Sequence, residues 1–354
     1  MSGKAHGWKK AGRRAWFKRP ARWAPLLALA ALLAVAAVHF GPRYVYYLFG
    51  YLALDKVPSE ITPKQRQVIQ AATKGLKAKI VWSSSRSGNH EIYMLTLPGM
   101  NLYRLTNNDR VDFYPRFSPD GRELVFARSQ KKWVSERNWK LWDVIHMRLA
   151  GGKERLLAKN GDYPLWVGPR EVSFSRGNQV VLKSLASGKE RVIFDSTGPP
   201  LEGTIGTPAL SPRDRNLLAV AARGKHDGVF VVDLAKNTIQ KMGQGCELGW
   251  FPDGRRLYWV EPHGRGGTRV MTSPLRPVRP RVFMDKPGRY SHEYFVRFSQ
   301  DGRWMVWAGS AGGHEHDIAD YEIFLWDTTK PPEQAVRLTY NKGNDRWPDI
   351  FVEK

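Results

Sequence analysis

The sequence contains one cysteine, Cys246, among 354 residues. A single thiol cannot form an intramolecular disulfide, so the fold depends on its packed core alone. Three hydrolase patterns are also absent: Gly-x-Ser-x-Gly, Gly-x-x-x-x-Gly-Lys-Ser/Thr and His-Glu-x-x-His. Their absence excludes the serine-hydrolase elbow, the P-loop and the helix of zinc proteases. A binding role is therefore favoured over catalysis, and no cofactor is predicted.

Acidic residues are missing from the start of the chain, since Asp55 is the first of them. Residues 1–22 form a basic tail, and residues 23–41 are apolar except for one histidine. This run is long enough to cross a membrane as a helix, and its basic flank should stay in the cytoplasm. We expect a single-pass signal-anchor in a bacterial cytoplasmic membrane, with the later residues on the periplasmic or extracytoplasmic side. A cleaved signal peptide is the alternative, because residues 34–36 have the small-x-small form of a cleavage site.

Residues 42–78 join this segment to the rest of the chain. Aromatic residues come first and suit a membrane interface. Thr62, Pro63 and Gln65 then fit a capping box with proline at the first helical position, and Gly75 suits the other end. One short helix is predicted, either as a stalk above the membrane or packed beneath the following domain.

Residues 79–354 are built from repeats. A turn pattern represented by Ser118-Pro-Asp-Gly121 recurs along the chain, with short apolar runs on both sides. The copies begin at Pro115, Pro164, Pro208, Leu248 and Val296. Each is followed by further apolar runs, which indicates four-stranded sheets repeated at the spacing typical of propellers.

The two ends of the repeat region complement one another. Residues 80–106 supply the second, third and fourth strands of a unit without a first strand, and residues 345–351 repeat the first-strand pattern of residues 112–117. A C-terminal strand that completes the N-terminal sheet explains both fragments. The predicted fold is all-β, a six-bladed β-propeller closed by its C-terminal strand and preceded by one transmembrane helix and a short helix.

These repeats resemble those of the TolB-type propeller family, in which Asp-x-x-Pro precedes the turn and Ile-Tyr and Arg-Leu-Thr mark the later strands. The match covers about residues 79–352. The resemblance implies a protein or peptide partner at the channel mouth. No counterpart of the domain that precedes the propeller in TolB itself is predicted, which argues against a TolB-specific role in the Tol system.

The loops that enter the first strands line the axis of a propeller, so the repeat alignment predicts the residues at the channel mouth. They are Tyr114, Asp162, Tyr163, Thr207, Glu247, Tyr294, Arg346 and Trp347. The favoured function is a membrane-anchored scaffold that binds an envelope protein or peptide at these positions.

A second class of function is a metal-dependent lyase or hydrolase acting on an anionic polysaccharide. Its candidate ligands are His314, His316 and Asp317, with His263 or His292 completing the set. Imidazoles two residues apart beside carboxylates can share a metal ion. The alternative interpretation of this glycine-rich stretch is a solvated loop.

Basic residues outnumber acidic ones by 47 to 33 from Asp55 onward. This balance favours anionic partners, so envelope glycan or lipid headgroups form a third hypothesis. Trp133, Trp139 and Trp142 lie among lysines and arginines, and they either dock onto such a partner or cover the edge of a blade. No nucleic-acid partner is expected outside the cytoplasm.

Overall fold

The structure is a computed structural model and describes residues 54–354. Six antiparallel sheets, the blades, make up this region. Blade 1 contains β1 (Asp55–Val57), β2 (Ala78–Ser84), β3 (Glu91–Leu97), β4 (Asn101–Arg104) and β25 (Asp345–Val352). Blade 2 contains β5 (Asp112–Phe117), β6 (Glu123–Ser129), β7 (Trp142–Arg148) and β8 (Lys153–Ala158). Blade 3 contains β9 (Asp162–Gly168), β10 (Glu171–Arg176), β11 (Gln179–Ser184) and β12 (Glu190–Asp195).

The other three blades follow in chain order. Blade 4 contains β13 (Gly203–Leu210), β14 (Leu217–Gly224), β15 (Gly228–Asp233) and β16 (Thr238–Gly243). Blade 5 contains β17 (Cys246–Trp250), β18 (Arg256–Pro262), β19 (Thr268–Pro274) and β20 (Arg281–Met284). Blade 6 contains β21 (His292–Phe298), β22 (Trp304–Ser310), β23 (Tyr321–Asp327) and β24 (Val336–Arg337). The innermost strands pack in a closed ring in the order β5, β9, β13, β17, β21, β25 and back to β5.

The ring closes as the sequence predicts. Strand β25 pairs with β2 in antiparallel register, with Ala78 opposite Val352 and Ser84 opposite Asp345. Blade 1 has one strand more than predicted, because β1 pairs with β4 at the outer edge. Since β1 has only three residues, its sequence carries no alternation that could reveal it. The six-bladed propeller is confirmed.

The short helix α1 (Pro63–Ala72) begins at the predicted capping box. Ile69 on this helix is fully buried in the main hydrophobic cluster, so the helix packs against the propeller and does not form a free stalk. Within residues 54–354, no helix has the length and apolarity to cross a membrane. The predicted signal-anchor, residues 23–41, lies outside the described residues.

The repeated turn joins the first and second strands of a blade. In blade 2 the Gly121 amide donates to the Ser118 carbonyl at 2.8 Å, and the Ser118 hydroxyl accepts from the Glu123 amide at 2.9 Å. Gly121 has a φ of 67°, and a Cβ there would lie 2.4 Å from the ring of Phe351. The turn therefore requires glycine both for its backbone conformation and for contact with blade 1.

Polar residues of the repeat form hydrogen bonds with four buried carboxylates. We call these the seam carboxylates, and they are Glu91, Asp112, Glu322 and Asp345. Asp112 accepts two hydrogen bonds from Arg128, at 2.8 and 2.9 Å. Glu91 accepts from Arg104 and Thr106, the first and last residues of Arg-Leu-Thr. Arg337 and Thr339 contact Glu322 in the same way. Each seam carboxylate thus has charged and neutral donors, which buried carboxylates require.

Candidate binding site at the propeller axis

Each innermost strand contains a bulge at which one residue has a positive φ, between 45° and 59°. These residues are Tyr114, Tyr163, Thr207, Glu247, Phe295 and Trp347. The conformation recurs at the same position in all six blades, so it belongs to the propeller geometry. A bulge of this kind re-aims the side chain at that position. We call this set the axial ring.

The axial ring encloses a pocket with about 370 Å³ of empty space, a volume that includes open solvent at its mouth. All six ring residues line it, and so do Arg116 and Arg297. Aromatic rings form one side, because Trp347 lies 4.0 Å from Phe295 and 4.1 Å from Tyr114 between ring centroids.

The alignment of the repeats predicts five of the six ring residues. The choice in blade 6, Tyr294, is one residue off, because Phe295 holds the ring position and lines the pocket. Tyr294 packs against His316 with a centroid distance of 4.8 Å. The repeat copy that begins at Val296 places Phe295 opposite Tyr114, so the alignment itself indicates Phe295, and Tyr294 is one position away from it. Asp162 and Arg346 precede the ring positions of their strands and are both buried.

Two long insertions meet over blade 1. One is residues 130–141, between β6 and β7, and the other is residues 311–320, between β22 and β23. The Ser135 hydroxyl donates to Asp317 at 2.5 Å, and Arg137 pairs with Glu315 at 2.7 Å in a more exposed position. We call the joined insertions the cap.

Glu136 is the centre of the cap. Its carboxylate accepts from Arg346 and from the indole nitrogen of Trp347, each at 3.2 Å, and it pairs with His316. Burial alone would lower the pKa of His316, but the Glu136 carboxylate raises it. The cap lies over the part of the axial ring that blades 1, 2 and 6 supply, while Tyr163, Thr207 and Glu247 stay partly exposed.

The structure therefore gives two of the predicted metal ligands a part in the cap. Asp317 accepts from Ser135 and from Arg346, and the His316 carbonyl accepts from Arg346 at 2.5 Å. His314 lies beside His292, with 6.4 Å between ring centroids. Across residues 54–354, no three His, Cys, Asp or Glu side chains are grouped so that they could hold a metal ion.

The polar groups of the axis differ from the seam carboxylates. Asp162 is fully buried, and one carboxylate oxygen accepts from the Tyr163 amide at 2.7 Å. The other oxygen, like the hydroxyl of Thr207, has no hydrogen-bond partner among the described residues. Burial raises the pKa of Asp162 well above its usual range, and the Glu136 carboxylate adds to this. Burial also raises the pKa of Glu247 to about 7.

Two arginines behind the axial ring were not predicted. Arg116 and Arg297 each follow a ring residue by two positions, a relation that becomes visible only once the bulge is located. Arg116 donates to the Pro115 and Pro348 carbonyls at 2.8 and 3.3 Å, but its Nε has no partner in the described part of the chain. Burial, together with the neighbouring Arg297, lowers the pKa of Arg116 to about 9.

Known proteins resemble the chain in both sequence and fold. The Protein TolB homolog of Chlorobium chlorochromatii is 30% identical over 154 residues, which cover 41% of this chain and 32% of that protein. The Tol-Pal system protein TolB of Geobacter sulfurreducens is 50% identical over 46 residues, 13% of this chain and 11% of that protein. The crystal structure of TolB from Acinetobacter baumannii superimposes with a TM-score of 0.57 at 13% identity, over 80% of this chain and 69% of that one.

The described region is a six-bladed propeller whose repeats and fold resemble those of TolB proteins. No protein-family model matches the chain. The matched segment spans 32% of the length of the Chlorobium relative, or about a third of it. What the chain shares with these proteins is therefore its repeat and its fold.

The tryptophans of the insertion between β6 and β7 have three different environments. Trp142 is fully buried and stacks on Phe113 at 5.1 Å. Trp139 is 38% exposed and lies against blade 3, where a Cβ on Gly177 would meet its ring at 2.9 Å. Trp133 is 65% exposed. Two of the three thus cover blade surfaces, and Trp133 is the one with most of its side chain in solvent.

Proposed function

We propose that this protein is a membrane-anchored scaffold in the cell envelope that binds a protein or peptide at the propeller axis. The observation that carries the proposal is the axial pocket, where polar groups are buried without partners. Thr207 and Arg116, which both line the pocket, each leave a donor or acceptor unused within the described region. Since unpaired buried polar groups cost about 1–3 kcal/mol each, a ligand that pairs them gains the same amount on binding.

The less covered side of the axial ring is the proposed entrance. Tyr163, Thr207 and Glu247 are partly exposed, whereas Tyr114 and Trp347 are buried beneath the cap. A peptide segment that enters there reaches aromatic surface, a free carboxylate and two arginines within one small pocket. Such a mixture of apolar walls and a few convergent polar groups is typical of ligand sites.

The proposed location rests on the sequence and the relatives. Residues 23–41 form the predicted signal-anchor, which would hold the propeller on the outer side of the cytoplasmic membrane. One relative is named as a Tol-Pal system protein, which supports a protein partner.

Site-specific photo-crosslinking tests the proposal in the native host. A benzophenone amino acid replaces Thr207 in the pocket or, as the control, the exposed Thr204 on the same strand. We expect one discrete envelope-protein adduct from position 207 and none from position 204. Equal adducts at both positions, or none at either, would contradict a partner at the axis.

A further inference from the structure

The axial pocket is lined by charged side chains of both signs, which lie at two levels. The first level is the axial ring itself, where Glu247 is the acidic residue. The second level lies two residues further along the strands, where Arg116 and Arg297 line the same pocket. Two residues of a strand span about 6 to 7 Å, so the two levels are separated by roughly that distance.

The second level has more positive charge than it has partners. Asp349 is the carboxylate beside the two arginines, and its Oδ2 already accepts from the Phe117 amide at 2.8 Å. Arg116 is only 6% exposed and keeps an unused Nε donor within the described region. Two arginines that share one carboxylate, Asp349, are a favourable site for a second carboxylate, which both can contact.

The first level has the opposite character. Glu247 forms no ion pair or hydrogen bond with the residues that the structure describes. The nearby Glu136, in contrast, forms ion pairs with Arg346 and His316. The aromatic faces of Trp347 and Phe295 complete this level. A carboxylate beside aromatic rings attracts an ammonium or guanidinium group. The whole chain carries a net charge of +23, so this attraction is local to the pocket.

We propose that the pocket binds a peptide carboxyl terminus whose last residue is basic, with the terminal carboxylate on Arg116 and Arg297 and the side-chain cation on Glu247. This inference rests on the proposed function and names the chemistry of its ligand. The separation of the two levels is comparable with the reach of a lysine side chain from its own backbone. A free basic amino acid carries the same two charges, so the test distinguishes the two sources.

Isothermal titration of the full-length chain in detergent tests the inference with four probes. They are acetyl-Gly-Gly-Lys with a free carboxylate, its carboxamide, the tripeptide with norleucine in place of lysine, and free L-lysine. We expect the first probe to bind at least tenfold more tightly than the carboxamide or the norleucine peptide. If free L-lysine matches the tripeptide, the site stands and its ligand is a small molecule.

Two variants assign the charges to their levels. Glu247→Gln should remove the preference for lysine over norleucine and leave the preference for acid over amide. Arg297→Gln should do the reverse, and Arg297→Met, which also removes the charge, replaces it if the glutamine variant fails to unfold cooperatively. Glu202→Gln is the matched control, because Glu202 pairs with Lys225 and does not line the pocket. It should change neither preference.

The inference fails if no probe binds the wild-type protein, or if neither variant changes its preference. In that case a discrete adduct at position 207 would leave the proposed function intact and overturn only the ligand chemistry. The absence of both an adduct and probe binding would overturn the two together.

Discussion

Buried carboxylates occur in two regions of this propeller, and the two sets differ in their partners. At the seams, Asp345 accepts from Arg86 at 3.1 Å, from the Trp82 indole at 3.1 Å and from Asn341 at 2.6 Å. At the axis, Asp162 is equally buried and has one backbone donor. Asp345 lies two residues before the ring position of its strand and Asp162 one residue before, so the two carboxylates occupy different places in their blades.

The difference separates residues that serve folding from residues available for binding. A seam carboxylate joins strands, and its loss leaves a buried arginine or threonine unpaired. Burial raises the pKa of carboxyls in both regions, but Arg128 opposes the shift at Asp112, where the pKa is about 6, whereas only the Tyr163 amide opposes it at Asp162. Polar groups that lack hydrogen-bond partners are expected at functional sites, so we assign the binding site to the axis.

The largest effect is expected at the ring closure. Asp345→Ala removes the hydrogen bonds that this carboxylate accepts from Trp82, Arg86 and Asn341 and leaves Arg86 without its carboxylate. We expect a loss of about 3–5 kcal/mol in the free energy of unfolding, measured with urea. Asp253→Ala, in an exposed turn, is the control and should change stability by less than about 0.5 kcal/mol. Equal effects of the two changes would contradict the account of closure.

A smaller effect is expected in the cap. Glu136→Ala leaves Trp347 and His316 without the carboxylate that they contact. Arg346 still donates a hydrogen bond to the His316 carbonyl. The free energy of unfolding should fall by about 1–3 kcal/mol. Glu315→Ala, which breaks the exposed pair in the same cap, should cost less than about 1 kcal/mol. If the two variants unfold alike, Glu136 does not hold the cap together.

The pH dependence of stability tests Glu247. Burial raises the folded-state pKa of this carboxyl to about 7, above its usual value of 4.5, so the folded protein holds this proton more tightly than the unfolded chain. Wild-type stability should therefore fall as the pH rises from about 4.5 to 7. Glu247→Gln should match the wild type at pH 4.5 and exceed it by about 1–2 kcal/mol at pH 8. Parallel stability curves for the two proteins would show that Glu247 is not desolvated.

The sequence predicts the ring well because local signals define it. Each of these signals depends on residues that are neighbours in the chain. They are the turn from Ser118 to Gly121, the first-strand pattern that recurs from Asp345, and the capping box at Thr62. The cap could not be predicted, because Glu136 and His316 are 180 residues apart and match no pattern. Arg116 and Arg297 escape notice for another reason: their place at the axis depends on a bulge, which shifts side-chain direction by one residue.

The most direct test of the central comparison is the free energy of unfolding of Asp112→Asn and Asp162→Asn at pH 8, each relative to wild type. Asp112→Asn removes the charge that pairs with Arg128 and should cost about 2–4 kcal/mol. Asp162→Asn keeps the oxygen that accepts from Tyr163 and removes a carboxyl whose pKa burial raises. The account predicts that this second variant is as stable as the wild type or more stable. A loss at Asp162 equal to that at Asp112 would show that the axis, like the seams, is built for folding alone.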